Sequence, residues 1–227
     1  MLLHKVINRI LPQKQYVRRI AYFNKKNLNR VLSFQKYFTL IEGVKGNIVE
    51  CGVGEGYGQC LLLYFSELFG RQDRIWGFDS FEGFPTLSNN DRKDLWFNYG
   101  LKEYIQFDVP FVIKSLTDFG HSSADVERRI SLVKGFIPDS LKNYDGRPIA
   151  FLHLDLDIYE GYRDSLAYFW DKMAPGGIVA FDEYLKPLDI HKWPGASIAV
   201  REFLDQKGLN NNIQWNEFSG NPYLIKP

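Results

Sequence analysis

The chain has 227 residues, with 28 Lys and Arg against 27 Asp and Glu, four His and two Cys. This length fits one large domain, or one domain with an appendage, and it can bury a core without disulfides. Hydrophobic content of 45% and charged content of 24% exclude collagen-like, low-complexity and disordered classes, and a net charge of +1 argues against a generally basic nucleic-acid binder. Cys51 and Cys60 form no C-x-x-C, which excludes a disulfide framework and a cysteine zinc site and fits a reducing, cytoplasmic setting. No apolar run is long enough to cross a bilayer, and Met1-Leu2-Leu3-His4-Lys5 opens no sustained apolar region of the kind a signal peptide needs.

The near-neutral total hides an asymmetry. Residues 1–45 carry ten Lys or Arg and one acid, Glu42, for a charge of +9, and residues 46–227 carry −8. Apolar residues at helical spacing (Val6, Ile10; Ile20, Phe23; Val31, Leu32, Phe34, Phe38, Ile41) predict helices over 3–10 and about 14–42, punctuated by Pro12 and Gly43. Residues 1–45 therefore read as a basic helical extension or cap. A cover over the site, a dimer contact, or docking on an anionic membrane or lipid-linked glycan would each use such a segment.

From residue 46 short apolar runs alternate with helical periods. Strands are predicted at 47–51, 74–78, 130–133, 149–154 and 177–181, and helices at 59–69, 162–173 and 197–207. Such alternation predicts an α/β fold, a mostly parallel sheet built from βαβ units. Two closing runs, 213–218 and 223–225, flank Gly220-Asn221-Pro222 and predict an antiparallel hairpin. About 80–129 is too long for one crossover and is rich in aromatics, among them Trp96, Phe97, Tyr99, Tyr104 and Phe107. It reads as a lid or acceptor-binding region, or as an extra helix on the flank.

The first strand runs into Glu50-Cys51-Gly52-Val53-Gly54-Glu55-Gly56-Tyr57-Gly58 and then a helix. The dinucleotide fingerprint G-x-G-x-x-G fails here: its third slot falls on Tyr57 or on Gln59. What fits is an acid followed by alternating glycines. The second strand ends in Asp79-Ser80-Phe81, and an acid there would accept hydrogen bonds from ribose hydroxyls or cap the following turn. The acid-glycine pattern resembles the first motif of class I S-adenosylmethionine-dependent methyltransferases. That resemblance implies a Rossmann-like sheet and a cofactor site at Glu50, Cys51, Gly52, Val53, Gly54, Gly56, Tyr57, Asp79, Ser80 and Phe81.

The fourth strand leads into Asp155-Leu156-Asp157 and the fifth into Asp182-Glu183-Tyr184. These strands are adjacent in a doubly wound sheet, so their acids converge. Carboxylates crowded in one mouth repel unless a cation neutralises them, and oxygen ligands select a hard ion such as Mg²⁺. Together with Asp79-Ser80-Phe81-Glu82-Gly83-Phe84-Pro85, Lys134-Gly135-Phe136, Asp155 to Glu160 and Pro175-Gly176-Gly177, the chain over 46–227 is similar to the macrocin O-methyltransferase family, whose members methylate sugar hydroxyls. The resemblance implies a Mg²⁺-dependent enzyme with Asp155, Asp182 and Glu183 on the metal. Gly135 and Phe136 then lie near the adenine, Asp155 touches both metal and cofactor, and the partner is a small-molecule acceptor, a sugar hydroxyl or another natural-product hydroxyl.

The departures are local. The family often has D-G-D-x-Y followed by Ser-Thr, where this chain has Asp155-Leu156-Asp157-Ile158-Tyr159 and then Glu160-Gly161-Tyr162. It often has D-D-Y, where this chain has Asp182-Glu183-Tyr184. Related catechol-type enzymes carry a Lys three residues after the first metal Asp; here that residue is Ile158. Asp155 and Asp157 are then the catalytic carboxylates, with His121, His153 and Lys186 as further candidates for the base. A nucleic-acid methyltransferase or a non-catalytic S-adenosylmethionine-binding module would share the cofactor fold, but no Asn/Asp-Pro-Pro-aromatic motif follows the fourth strand. A homodimer or higher homo-oligomer is expected, without nucleic acid.

Overall fold

A computed structural model describes residues 24–91, 107–184 and 193–227. The expected helix over 3–10, the start of the second, and Trp96, Phe97, Tyr99, Tyr104 and Lys186 lie outside the described residues. In chain order the elements are α1 (Lys25–Leu40), β1 (Asn47–Cys51), α2 (Tyr57–Leu68), β2 (Ile75–Asp79), α3 (Val109–Phe119), α4 (Ser123–Arg129), β3 (Ile130–Lys134), β4 (Ile149–Leu154), α5 (Tyr159–Phe169), β5 (Met173–Phe181), α6 (Pro194–Lys207), β6 (Gln214–Trp215) and β7 (Pro222–Ile225).

The strands form one sheet in the order β3-β2-β1-β4-β5-β7-β6. β3 through β5 are parallel, and β7 and β6 close the edge as the antiparallel hairpin. The order reverses between β1 and β4, and in such sheets the crevice at that switch point takes the ligand. β1 and β4 are buried at every position, which is why they read as continuous apolar runs.

Side chains alternate across the sheet and divide the core in two. On one face Ile48, Phe151, Ile178 and Ala180 pack under α1, α2 and α3. On the other Val49, Leu152, Leu154, Val179 and Phe181 pack under α5 and α6. α1 belongs to this packed body. Its Phe34, Tyr37, Phe38 and Ile41 are at most 2% exposed, and the Phe34 ring meets Phe151 and His153 edge-on at 6.1 and 5.2 Å between centroids. Asn24 caps the helix by accepting from the Asn27 amide.

The long insert supplies flanking helices in its second part. Val112 and Leu116 of α3 are fully buried against α2. Its first part is tied down by Asp91, which accepts from the Tyr159 amide at 2.9 Å and so caps α5, which has no cap of its own. Replacing Phe34 with Ala removes a buried ring that joins α1 to the sheet. We expect a loss of about 3–5 kcal/mol in unfolding free energy by urea denaturation; a loss below about 1 kcal/mol would mean that α1 does not share the core.

Candidate functional site

The site begins with a loop that only glycine can form. Gly52, Gly54 and Gly56 all have positive φ, at 90°, 52° and 90°. A Cβ on Gly52 would stand 1.8 Å from the Asp155 carbonyl oxygen, so β1 and β4 can separate at this mouth only around a glycine. A Cβ on Gly54 would meet nothing within 4 Å, because that part of the loop faces open space.

Asp79 holds the loop in shape. Its Oδ2 accepts from the amides of Val53 (2.8 Å) and Gly54 (2.9 Å), and its Oδ1 accepts from the amide of Phe81 (2.8 Å). The Ser80 hydroxyl donates to the Gly83 carbonyl and accepts from the Glu82 amide, which turns the chain back over the cleft. Glu50 is 1% exposed; its carboxylate accepts from Gln59 Nε2 at 2.8 Å and faces His153 Nδ1 at 3.0 Å. A Cβ on Gly58 would collide with that carboxylate. Helix α2 must therefore carry glycine where it passes Glu50.

These groups open onto one cavity of about 470 Å³, a size suited to a small ligand or cofactor. Of the residues expected at a cofactor site, Glu50, Gly52, Val53, Gly54, Tyr57, Asp79, Ser80, Phe81, Gly135, Phe136 and Asp155 line it. Cys51 does not: its side chain faces the α5 and α6 layer, and burial pushes its thiol up to about 12. Gly56 also stands back, at the N-terminus of α2 against Val112.

Asp155 and Asp157 line the far side of the same cavity. Asp157 has φ of 64°, a left-handed conformation that costs a non-glycine residue energy and recurs at functional sites. Asp155 Oδ2 accepts from Arg30 Nη2 at 2.7 Å. Burial disfavours the charge on Arg30, but the carboxylates of Asp155, Asp182 and Glu50 outweigh it and lift the guanidinium above its ordinary pKa. Asp182 accepts from Asn221 Nδ2 at 2.8 Å. One ligand atom each from His153, Asp155 and Asp182 lie within 4.8 Å of one another, so these residues could hold a divalent cation.

The structure does not bring Glu183 or His121 to this group. Glu183 lies in the bend just past β5, where it is 4% exposed beside the Tyr162 hydroxyl. Tyr162 also donates to the Leu154 carbonyl at 2.8 Å. The single proton of the Tyr162 hydroxyl is thus shared between the Leu154 carbonyl and the Glu183 carboxyl. Burial and the nearby charges of Asp155, Asp182 and Asp157 push the Glu183 carboxyl well above the usual carboxylate range. His121 is packed behind α2, with Nε2 donating to the Cys60 carbonyl at 3.1 Å and Nδ1 3.2 Å from Glu67. Its ring stacks on Phe119 and it does not line the cavity.

Arg30, Asn221 and Tyr162 are the site residues that sequence reasoning passed over. Arg30 did carry a signal: it sits one helical turn before Phe34, in line with the buried face of α1. Asn221 and Tyr162 had none, because each is placed by contact with a distant element.

The sheet order, the glycine loop at the switch point and the acid at the end of β2 define a Rossmann-like cofactor cleft of the class I methyltransferase type. The macrocin-O-methyltransferase (TylF) family model matches residues 25–222, and the chain belongs to that family. The match includes α1. Mycinamicin III 3''-O-methyltransferase of Micromonospora griseorubida is 26% identical over 178 residues, 77% of this chain and 66% of that protein. Demethyldecarbamoylnovobiocin O-methyltransferase of Streptomyces niveus is 28% identical over 149 residues, 63% of this chain and 54% of that one. The chain thus spans between half and two thirds of the length of these curated relatives. Among solved structures, the calicheamicin methyltransferase CalS11 superposes with a TM-score of 0.72 at 26% identity, covering 99% of this chain and 89% of that one. The O-methyltransferase NovP superposes at 0.75 and 21% identity, covering 87% and 79%, and supports the fold.

Replacing Asp79 with Ala should release the loop without unfolding the sheet. Amide hydrogen exchange at Val53, Gly54 and Phe81 should accelerate by at least about tenfold, the signature of local opening, while Val49 in β1 stays protected. Unchanged exchange at Val53 and Gly54 would contradict the clasp.

Proposed function

We propose that the chain transfers a methyl group from S-adenosylmethionine to a hydroxyl of a sugar, or of a sugar-bearing natural product, assisted by a divalent cation. One observation carries this reading: a single cavity joins the glycine loop and Asp79 on one side to Asp155 and Asp157 on the other. A cofactor held by the loop would therefore abut the carboxylates. The relatives support the acceptor class, with mycinamicin III 3''-O-methylation and 4'-O-methylation of a rhamnosyl tetracenomycin among them, and CalS11 is a TDP-rhamnose 3'-O-methyltransferase.

The residues fit such a cofactor. Gly54 leaves the loop open to a ligand, Asp79 keeps an acceptor site on Oδ1 free beside its three amide contacts for a ribose hydroxyl, and the 40% exposed ring of Phe136 offers an apolar face to a base. Glu50, paired with Gln59 and His153, adds negative potential on the side where a sulfonium and an ammonium would lie. When bound, S-adenosylmethionine supplies a methyl group on a positively charged sulfur, and a divalent cation supplies charge that lowers the pKa of a coordinated hydroxyl.

Methyl transfer is an in-line displacement, so positioning does much of the work. Asp155 and Asp182 would hold a cation and with it orient the acceptor, and Asp157 would take the acceptor proton. The new O–CH₃ bond forms as the C–S bond breaks, and S-adenosylhomocysteine leaves. Asp157 is suited to the task because its strained backbone aims it into the cavity beside Asp155. Glu50, Asp79, Asp155, Asp157 and Glu160 all line the cleft, and this acidic wall works against a polyanionic nucleic-acid substrate.

Asp155→Asn and Asp182→Asn should each lower turnover by at least about 10³-fold, the scale of losing a group that stabilises charge in the transition state. S-adenosylhomocysteine affinity, measured by titration calorimetry, should stay within a few-fold of wild type. Turnover would be followed by mass spectrometry on rhamnose-bearing acceptors and TDP-rhamnose. Full activity in either variant, or in excess chelator, would contradict the role given to these acids.

A further inference from the structure

We infer that the divalent-cation site of this chain is formed by His153, Asp155 and Asp182, with Glu50 orienting the histidine, in place of the Asp155, Asp182 and Glu183 set that the family resemblance implies. The inference rests on the cation-assisted part of the proposed function and departs from it in naming the ligands.

The first support is strand parity. Glu50 and His153 are lateral neighbours in the β1–β4 register. Asp155 follows His153 by two residues, and Asp182 follows Ala180 by two. All four side chains therefore point to the α1 face of the sheet. Glu183, in the bend past β5, lies against the Tyr162 hydroxyl and outside this group.

The second support is hydrogen bonding. The Glu50 carboxylate can only accept, so His153 Nδ1 carries the proton in their 3.0 Å contact. That leaves the Nε2 lone pair free to ligate. A carboxylate that fixes the tautomer and orientation of a histidine ligand is the usual outer-shell arrangement of metal sites. Gln59 braces Glu50 from the other side.

The third support is the contact that Glu183 makes. Glu183 stands where Asp is common in the family. The Tyr162 hydroxyl and the Glu183 carboxyl are in direct hydrogen-bond contact on the face away from the cavity. This buried contact occupies Glu183 away from His153, Asp155 and Asp182.

Arg30 shows that the remaining cluster draws a cation. Its guanidinium reaches Asp155 through Nη2 alone, and Nε has no partner. This is a single contact and not the two-pronged clamp that makes arginine–carboxylate pairs hard to break. Arg30 lies in the part of α1 before Ser33 and Phe34, where the buried face begins. Its guanidinium is already 5.7 Å from the Tyr57 ring centroid, an alternative resting place. A metal ion can displace Arg30 from Asp155 without disturbing the core.

One imidazole nitrogen with two carboxylates shifts preference from Mg²⁺ toward Mn²⁺ or Co²⁺, which accept nitrogen ligands more readily. The test uses the purified full chain with Mn²⁺ alone. Pulsed electron paramagnetic resonance should show ¹⁴N coupling from a directly bound imidazole. By calorimetry, Mn²⁺ should bind at least about tenfold more tightly than Mg²⁺. His153→Gln should weaken Mn²⁺ binding by about 10- to 100-fold, with Glu183→Gln within twofold of wild type. Mn²⁺ binding without nitrogen coupling, or a loss in Glu183→Gln that matches the loss in His153→Gln, would overturn the ligand set alone. Absence of any Mn²⁺ or Mg²⁺ binding to wild type would overturn the cation part of the proposed function as well. The resonance experiment needs no variant, so misfolding of His153→Gln would leave the question decidable.

Discussion

Glu50, Asp79, Asp155, Asp182 and Glu183 lie where β1, β2, β4 and β5 leave the sheet, and the rest of this end of the molecule is arranged around keeping them there. An unpaired carboxylate in such a place is costly, so each needs a counterpart. The solutions differ. Asp79 takes three backbone amides, Glu50 takes Gln59 and His153, Asp155 takes Arg30, Asp182 takes Asn221, and Glu183 pairs with Tyr162. The first two solutions shape a cofactor cleft. The next two leave a pair of carboxylates able to exchange one cation for another.

This arrangement changes what the charge asymmetry of the chain means. The basic head and the acidic body meet at Arg30, where a cation from α1 faces Asp155, Asp182 and Glu50. Lys36 pairs with Glu217, and Ser33 donates to Asn216, so α1 also grips the C-terminal hairpin. The helix covers the core with its C-terminal half and brings charge to the cleft with its N-terminal half. Lys26 and Asn27 line the cavity beside Arg30. A boundary at residue 45 would separate this helix from both its packing partners and its carboxylate.

Much of the fold was legible because buried parallel strands are short apolar runs between turns. Asn47–Cys51 and Ile149–Leu154 have the expected limits for that reason. β5 starts at Met173 and not at Gly177, because Pro175 and Gly176 ride through a register shift against β4 and do not end the strand. α5 starts at Tyr159 and not at Tyr162, because its cap is Asp91, sixty-eight residues away. The cofactor loop was legible in its glycines. The choice among carboxylates was less so: Asp182 and Glu183 are adjacent in sequence, and only their distant partners, Asn221 and Tyr162, separate them. His121 resembled a catalytic histidine because its partners, Glu67 and the Cys60 carbonyl, come from a helix that the sequence does not connect to it.

A crystal structure with S-adenosylhomocysteine and Mn²⁺, with anomalous diffraction to locate the metal, tests the central claim most directly. The account predicts the cofactor in the cavity between the glycine loop and Asp155. It predicts a manganese peak about 2.0–2.6 Å from oxygens of Asp155 and Asp182, with Arg30 moved off Asp155. Arg30 still seated on Asp155 with no metal in the mouth, or the cofactor bound outside this cavity, would contradict it.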